Sequence, residues 1–173
     1  MMSEVWLRGP VSGIPGLLQP VAHGLLQCRE ELTAAITGLT PEHIWARPSG
    51  VASIGFHARH AAGSLDRLFT YARGERLSSA QRAALAAEAD PDLTPSAGTT
   101  LIAAFDDAVE RALEQIRTTR EATLLDARGV GRAQLPSTVL GLLFHAAEHA
   151  QRHVGQLVTT AKLLGLGFSR REE

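Results

Sequence analysis

His145-Ala-Ala-Glu-His149-Ala-Gln-Arg-His153-Val-Gly-Gln156 decides how this chain is read. The stretch holds three of the seven histidines, spaced four apart. Thr138-Val-Leu-Gly-Leu-Leu-Phe144 before it and Leu157-Val-Thr-Thr-Ala-Lys-Leu-Leu164 after it continue one helical pattern. At about 100° per residue, positions i and i+4 lie roughly 40° apart on a helix. His145, His149 and His153 therefore form a ridge on one face. Two imidazoles one turn apart can point at a common metal ion, the geometry that zinc-binding helices use. A lone helical histidine is more often packed or solvated than a ligand. Zinc takes three or four protein ligands, so a further donor from another element is expected.

The 173 residues suit a single domain with its own hydrophobic core. An apolar fraction of 45 % against 20 % charged is ordinary for a soluble globular protein. A net charge of −1, from 17 basic and 18 acidic residues, gives no reason to expect a nucleic-acid or anionic-membrane partner. The one cysteine, Cys28, excludes a disulfide framework and a thiolate metal site, which leaves it core packing. The first ten residues lack the basic-then-apolar order of a signal peptide. No apolar run reaches the roughly 18 residues needed to span a bilayer. The expected location is cytoplasmic.

Working outward from the histidine ridge, four long amphipathic helices emerge. The first runs from about Pro15 to Leu39, with Leu17, Leu18, Val21, Leu25, Leu32 and Ile36 at three- and four-residue steps, and Pro20 in its first turns offers a later start than Pro15. Thr40-Pro41 reads as an N-cap and first-turn proline of a short connector helix. The second long helix runs from about Ser53 to Arg73, the third from Thr99 to Thr123, and the fourth from Pro136 to Leu164. A short capped helix starts near Ser78 and ends near Glu88, and residues 124–135 read as a loop or short extended turn. The fold class is all-α, a four-helix bundle with a connection of about 24 residues between the second and third long helices. That length permits those two helices to run parallel. Residues 1–173 form one domain, with a core from about 15 to 165 and irregular segments at 1–14, where Trp6 would pin the chain, and 168–173.

A metal site in a bundle draws ligands from facing helices. The second helix supplies His57 and His60, three apart and so free to have different targets. Both sit in an apolar stretch, where a buried imidazole needs a metal or a hydrogen-bonding carboxylate as partner.

These residues carry a resemblance. Trp45-Ala-Arg-Pro-Ser-Gly-Val-Ala-Ser-Ile-Gly-Phe-His-Ala-Arg-His60, with Asp66 six residues on, resembles the second-helix signature of the DinB-like (DinB/YfiT-like) metalloenzyme family. His149-x3-His153-Val-Gly-Gln156 is similar to its other signature, a His-x3-His followed by Arg-Gly-Gln. Order and spacing match from about residue 15 to 165. The resemblance implies a four-helix bundle with a three-histidine metal site, one ligand from the second helix and two from the fourth. Carried over by position, the ligands are His60, His149 and His153. Val154 departs from the family's arginine, which removes any role given to that arginine.

His145-x-x-Glu148-His149 also matches the inverted zinc-protease pattern. Those enzymes need a downstream third ligand, and the only carboxylates that follow are Glu172 and Glu173 in the tail. His57 and His145 remain as neighbours of the ligands or packed side chains. Glu148 reads as part of a solvated face, and Gln156 as a hydrogen-bond partner of a ligand or its water or as a capping or interhelical contact. Asp66 is read as a surface pairing partner. Three neutral imidazoles leave a divalent ion, zinc by default or nickel, with an open position. The resemblance implies a metal-dependent enzyme acting on a small molecule. It would be a hydrolase or a thiol-dependent S-transferase or isomerase, in the latter case with a low-molecular-weight thiol cosubstrate. It also implies a homodimer. The competing reading is a non-catalytic metal-binding stress-response or interaction module.

Overall fold

A computed structural model describes residues 3–166. It contains the helices α1 (Gln19–Ile36), α2 (Pro41–Trp45), α3 (Ile54–Ala72), α4 (Ser79–Ala86), α5 (Ala97–Thr118) and α6 (Val139–Leu163), with a hairpin of β1 (Ala127–Val130) and β2 (Leu135–Thr138) before α6. The architecture is all-α around the four long helices. α3 packs against α6 and α5, and α1 packs against the same two.

Local chemistry sets the helix ends. Leu18 precedes α1, and Pro20 stands in its first turn, where the missing N–H costs nothing. The Thr40 hydroxyl accepts from the His43 N–H to start α2, and the Ser53 hydroxyl accepts from the Phe56 N–H to start α3. Ser78 and Gln81 cap α4 reciprocally. The Thr138 hydroxyl accepts from the Gly141 N–H at the start of α6.

The core lies between the long helices. Leu25, Leu32 and Ile36 of α1, Leu65 of α3, Phe105, Val109 and Ile116 of α5, and Leu143 and Leu157 of α6 are fully buried there. Phe105→Ala should cost about 3–5 kcal/mol, measured by urea unfolding, through lost burial and the cavity it leaves. A loss below about 1 kcal/mol would mean that Phe105 is not a packing centre.

Helix directions follow from contacts at the ends. Gly98 at the start of α5 packs against Ile36 at the end of α1, and Arg29 pairs with Glu110, so α1 and α5 run antiparallel. The Arg73 guanidinium donates to the Gln115 side chain (2.6 Å), and the Gln115 amide donates to the Phe69 carbonyl (3.1 Å), which brings the C-terminal ends of α3 and α5 together. α3 and α5 are therefore parallel, and the chain between them must return the length of α3, about 28 Å at 1.5 Å per residue. That return carries α4 and the loop that follows it.

Three expectations need correction, and a fourth takes definite form. Of the loop or short extended turn expected at residues 124–135, the structure has the extended form, a hairpin: β1 and β2 pair antiparallel, Ala127 opposite Thr138 and Val130 opposite Leu135. Four-residue strands give too short an alternation to show in the sequence. Within the segment expected to be irregular, Val5–Arg8 form a 3₁₀ turn; Val5 is buried there, while Trp6 is 61 % exposed and pins nothing. Leu17 is 63 % exposed, because the helix starts later than Pro15 and Leu18 takes the core position. The third long helix ends at Thr118, five residues early, and a 3₁₀ turn at Glu121–Thr123 follows it. The tail reading at 168–173 lies outside the described residues.

Candidate metal centre

α3 and α6 run antiparallel, so residues 57 and 60 of one meet residues 153 and 149 of the other. The His57 and His153 Nδ1 atoms are 3.0 Å apart, and the His60 and His149 Nε2 atoms are also 3.0 Å apart. The ring centres of His60 and His153 are 4.3 Å apart, and those of His149 and His153 are 4.7 Å apart. His60, His149 and His153 each offer a ring nitrogen, and these three nitrogens all lie within 4.8 Å of one another. Phe56 stacks on the His60 ring at 5.6 Å.

The donor chemistry fits a metal ion. His60 Nδ1 donates to the Glu88 carboxylate at 2.6 Å, because an ionised carboxylate only accepts. In the tautomer that this bond selects, the Nε2 lone pair faces His149. Two nitrogens bound about 2.05 Å from one tetrahedral ion sit roughly 3.3 Å apart, close to the 3.0 Å observed. A carboxylate holding the outer nitrogen of a ligand histidine is the usual support for such a ring. His149 Nδ1 is buried without a partner, an arrangement that stability alone does not favour.

Glu88 sits in the return from α3 to α5, and its side chain is 5 % exposed. Burial alone would push its carboxyl up. The hydrogen bonds from His60 and Arg67, with the Arg67 charge, outweigh that and hold it below the usual carboxylate range. Arg67 Nη1 donates to the other oxygen at 2.7 Å. A Cβ on Gly63 would lie 2.7 Å from both Arg67 Nη1 and Glu88 Oε1, so only glycine lets the carboxylate approach α3 this closely.

The imidazoles of His57, His149 and His153 resist protonation. Burial, followed by the His60 charge, lowers the pKa of His57 and of His149. Burial and the charges of His60, His149 and His57 push His153 down to about 4. Imidazoles in the unfolded chain titrate near 6.5. Below that pH the unfolded state binds more protons, so the metal-free fold loses stability as pH falls from 6.5 towards about 4. The urea midpoint of chelator-treated protein should fall between pH 7.5 and pH 5.5; a flat or rising midpoint contradicts this assignment.

The remaining sequence candidates separate cleanly. His145 is exposed and pairs with Glu148 at 3.1 Å, and Glu148 also pairs with Arg152, which is the solvated face expected of that carboxylate. Asp66 accepts from Gln81 Nε2 at 2.7 Å and touches neither Arg67 nor a histidine by hydrogen bond. Val154 is fully buried, and Cys28 is buried in the core with its thiol pushed up to about 12 by burial and Glu31. Ala61 and Ala62 of α3 and Ala146, Ala147 and Ala150 of α6 are all buried and serve close helix packing. A cavity of about 440 Å³ lies further along, lined by Val51, Ala52, His57, Gln156, Thr159 and Leu163, among others. His57 thus touches His153 on one side and the cavity on the other.

Sequence reasoning missed Glu88. No spacing rule links it to His60, 28 residues away. The available signal was a single acid in the small apolar run Ala83-Ala-Leu-Ala-Ala-Glu88-Ala89, at the end of a capped helix.

These features define an all-α protein with a carboxylate-supported histidine cluster between two antiparallel helices. The chain matches the DinB superfamily over residues 25–157 and belongs to it. Comparison with curated proteins returns no match. Among the described residues, no helix is long and apolar enough to cross a membrane.

Proposed function

We propose that this chain is a metal-dependent enzyme acting on a small molecule, with His60, His149 and His153 holding one divalent ion. One observation carries the reading: three ring nitrogens lie within 4.8 Å of one another, and the outer nitrogen of His60 is held by the buried Glu88. Zinc is the default ion and nickel the alternative. When bound, the ion supplies Lewis acidity and brings the pKa of a coordinated water or thiol towards neutrality. The residues do the rest. Glu88 keeps His60 in one tautomer and one orientation. Phe56 stacks on the His60 ring, and the buried alanines bring α3 and α6 together around the cluster. His57 lies between the cluster and the cavity, where a small substrate has room beside the site. A coordinated water suits hydrolysis, and a coordinated low-molecular-weight thiol suits S-transfer or isomerisation; both use the same three imidazoles.

Elemental analysis of tag-free protein tests the metal, with about one divalent ion per chain expected. Protein that neither carries nor takes up Zn²⁺ overturns the reading. A turnover screen with thiols plus electrophiles, and with esters and amides, then separates an enzyme from a module that merely holds metal. The proposal extends to a homodimer in the cytoplasm; a monomer in light scattering at micromolar concentration removes the dimer.

The bystander histidines supply an internal control. His145→Gln should leave zinc affinity unchanged within about twofold, because its ring is exposed and tied to Glu148. His57→Gln should keep stoichiometric zinc with affinity reduced about tenfold, as for a group that supports a ligand. Competition titration against a chromogenic chelator reads both, and complete loss of zinc in either variant would mean that the ligand set is wrong.

A further inference from the structure

Arg59 precedes His60 on α3 and points about 100° away from it around the helix. Its guanidinium carbon lies 4.6 Å from the centre of the Trp45 ring. Its Nη1 donates to the Ala87 carbonyl at 2.9 Å and to the Asp90 carbonyl at 2.6 Å. Those carbonyls stand on either side of Glu88 in the chain. The stack on Trp45 fixes the plane of the guanidinium, and the two charge-assisted bonds fix the backbone that carries Glu88.

This clamp matters because it ties that backbone to α3: the local bonds, from the Ala87 N–H to the Ala83 carbonyl (3.1 Å) and from the Asp90 N–H to the Ala87 carbonyl (3.1 Å), tie the return only to itself. α4 buries no residue, so hydrophobic burial does not place the return between α3 and α5. Polar pins do. Gln81 Nε2 donates to Asp66 Oδ2 at 2.7 Å and to Thr70 Oγ1 at 2.8 Å, which ties down the start of α4. Beyond α4, the Glu88 N–H reaches the Leu85 carbonyl at a long 3.5 Å. Arg67 binds the carboxylate itself and can follow it; Arg59 binds the main chain and sets where the carboxylate starts from.

We infer that Arg59 is a positioning residue that fixes the main chain around Glu88 and so sets the pose of the carboxylate that orients His60. It touches neither the His60 ring nor the Glu88 carboxylate by hydrogen bond, so its influence passes through the loop. Only the zinc readout below rests on the proposed metal function; the hydrogen bond to His60 exists without it.

The test compares Arg59→Met, which keeps an unbranched side chain but has no donors, with Arg59→Lys, which restores one cationic donor but not the fork. In chelator-treated protein, NMR of the His60 Nδ1–H reports the hydrogen bond to Glu88. Arg59→Met should keep the far-ultraviolet helical spectrum while the His60 Nδ1–H exchanges with water at least tenfold faster. Arg59→Lys should fall between it and wild type, and Zn²⁺ affinity should follow the same order, with about a tenfold loss in Arg59→Met. A folded Arg59→Met with an unchanged His60 signal overturns the inference. If Arg59→Met does not fold, Arg59→Lys decides: an unchanged exchange rate overturns the inference, and a faster one supports it. If wild-type protein binds no Zn²⁺, the metal reading fails by itself and the NMR comparison still decides the role of Arg59.

Discussion

His60→Ala, His149→Ala and His153→Ala should each abolish stoichiometric zinc binding at micromolar metal. Zinc sites of four ligands are worth about 10–16 kcal/mol, roughly 3–4 per ligand, so one lost imidazole should weaken affinity by about two to three orders of magnitude. The losses should be similar in size, because the three ring nitrogens are mutual neighbours within 4.8 Å and none is peripheral. Zn²⁺ should raise the melting temperature of wild type and leave that of the variants unchanged, since a ligand stabilises only a fold that binds it. The metal-free variants should stay folded. The core between the long helices is built from Leu, Ile, Val, Phe and Ala side chains that do not involve the site. A variant that keeps wild-type occupancy and affinity is not a ligand, and that result would move attention to His57, whose Nδ1 already lies 3.0 Å from His153.

The helices and the stacking of His149 with His153 were legible in the sequence because both rest on periodicity, whereas His60 joined them only through the family resemblance. Apolar steps of three and four mark α1, α3, α5 and α6, and the same period stacks His149 and His153. The length of the chain joining α3 and α5 permitted their parallel course, and the contacts at their C-terminal ends establish it. What periodicity does not encode was missed. Leu17 and Leu18 both fit an apolar stripe, and only the start of the helix decides which one is buried. The alanines of α3 and α6 serve a pocket or a tight interface equally well on paper; the close approach of the two helices buries them. Glu88 and Arg59 act across the return between α3 and α5, through contacts between residues about 30 positions apart that no local rule predicts.

Glu88→Ala should produce the largest combined effect of any substitution outside the three histidines. The carboxylate has two partners, Arg67 on one oxygen and His60 on the other. Arg67 is 8 % exposed, so removing Glu88 leaves a buried charge without its counter-ion. Breaking a buried pair from one side typically costs about 3–5 kcal/mol. The His60 ring simultaneously loses the acceptor that fixes its tautomer, which for such partners lowers metal affinity about 10- to 100-fold. The two costs can be separated. Glu88→Gln keeps the shape and one acceptor oxygen, so it should recover part of the stability while zinc affinity stays at least tenfold low, because an amide is a weaker support for the ring than a carboxylate. The double variant Glu88→Ala with Arg67→Met removes the unpaired charge together with its partner. It should regain most of the urea stability and none of the zinc affinity. Recovery of both together would make Glu88 a partner of Arg67 alone, and the hydrogen bond to His60 would then have no part in holding the metal.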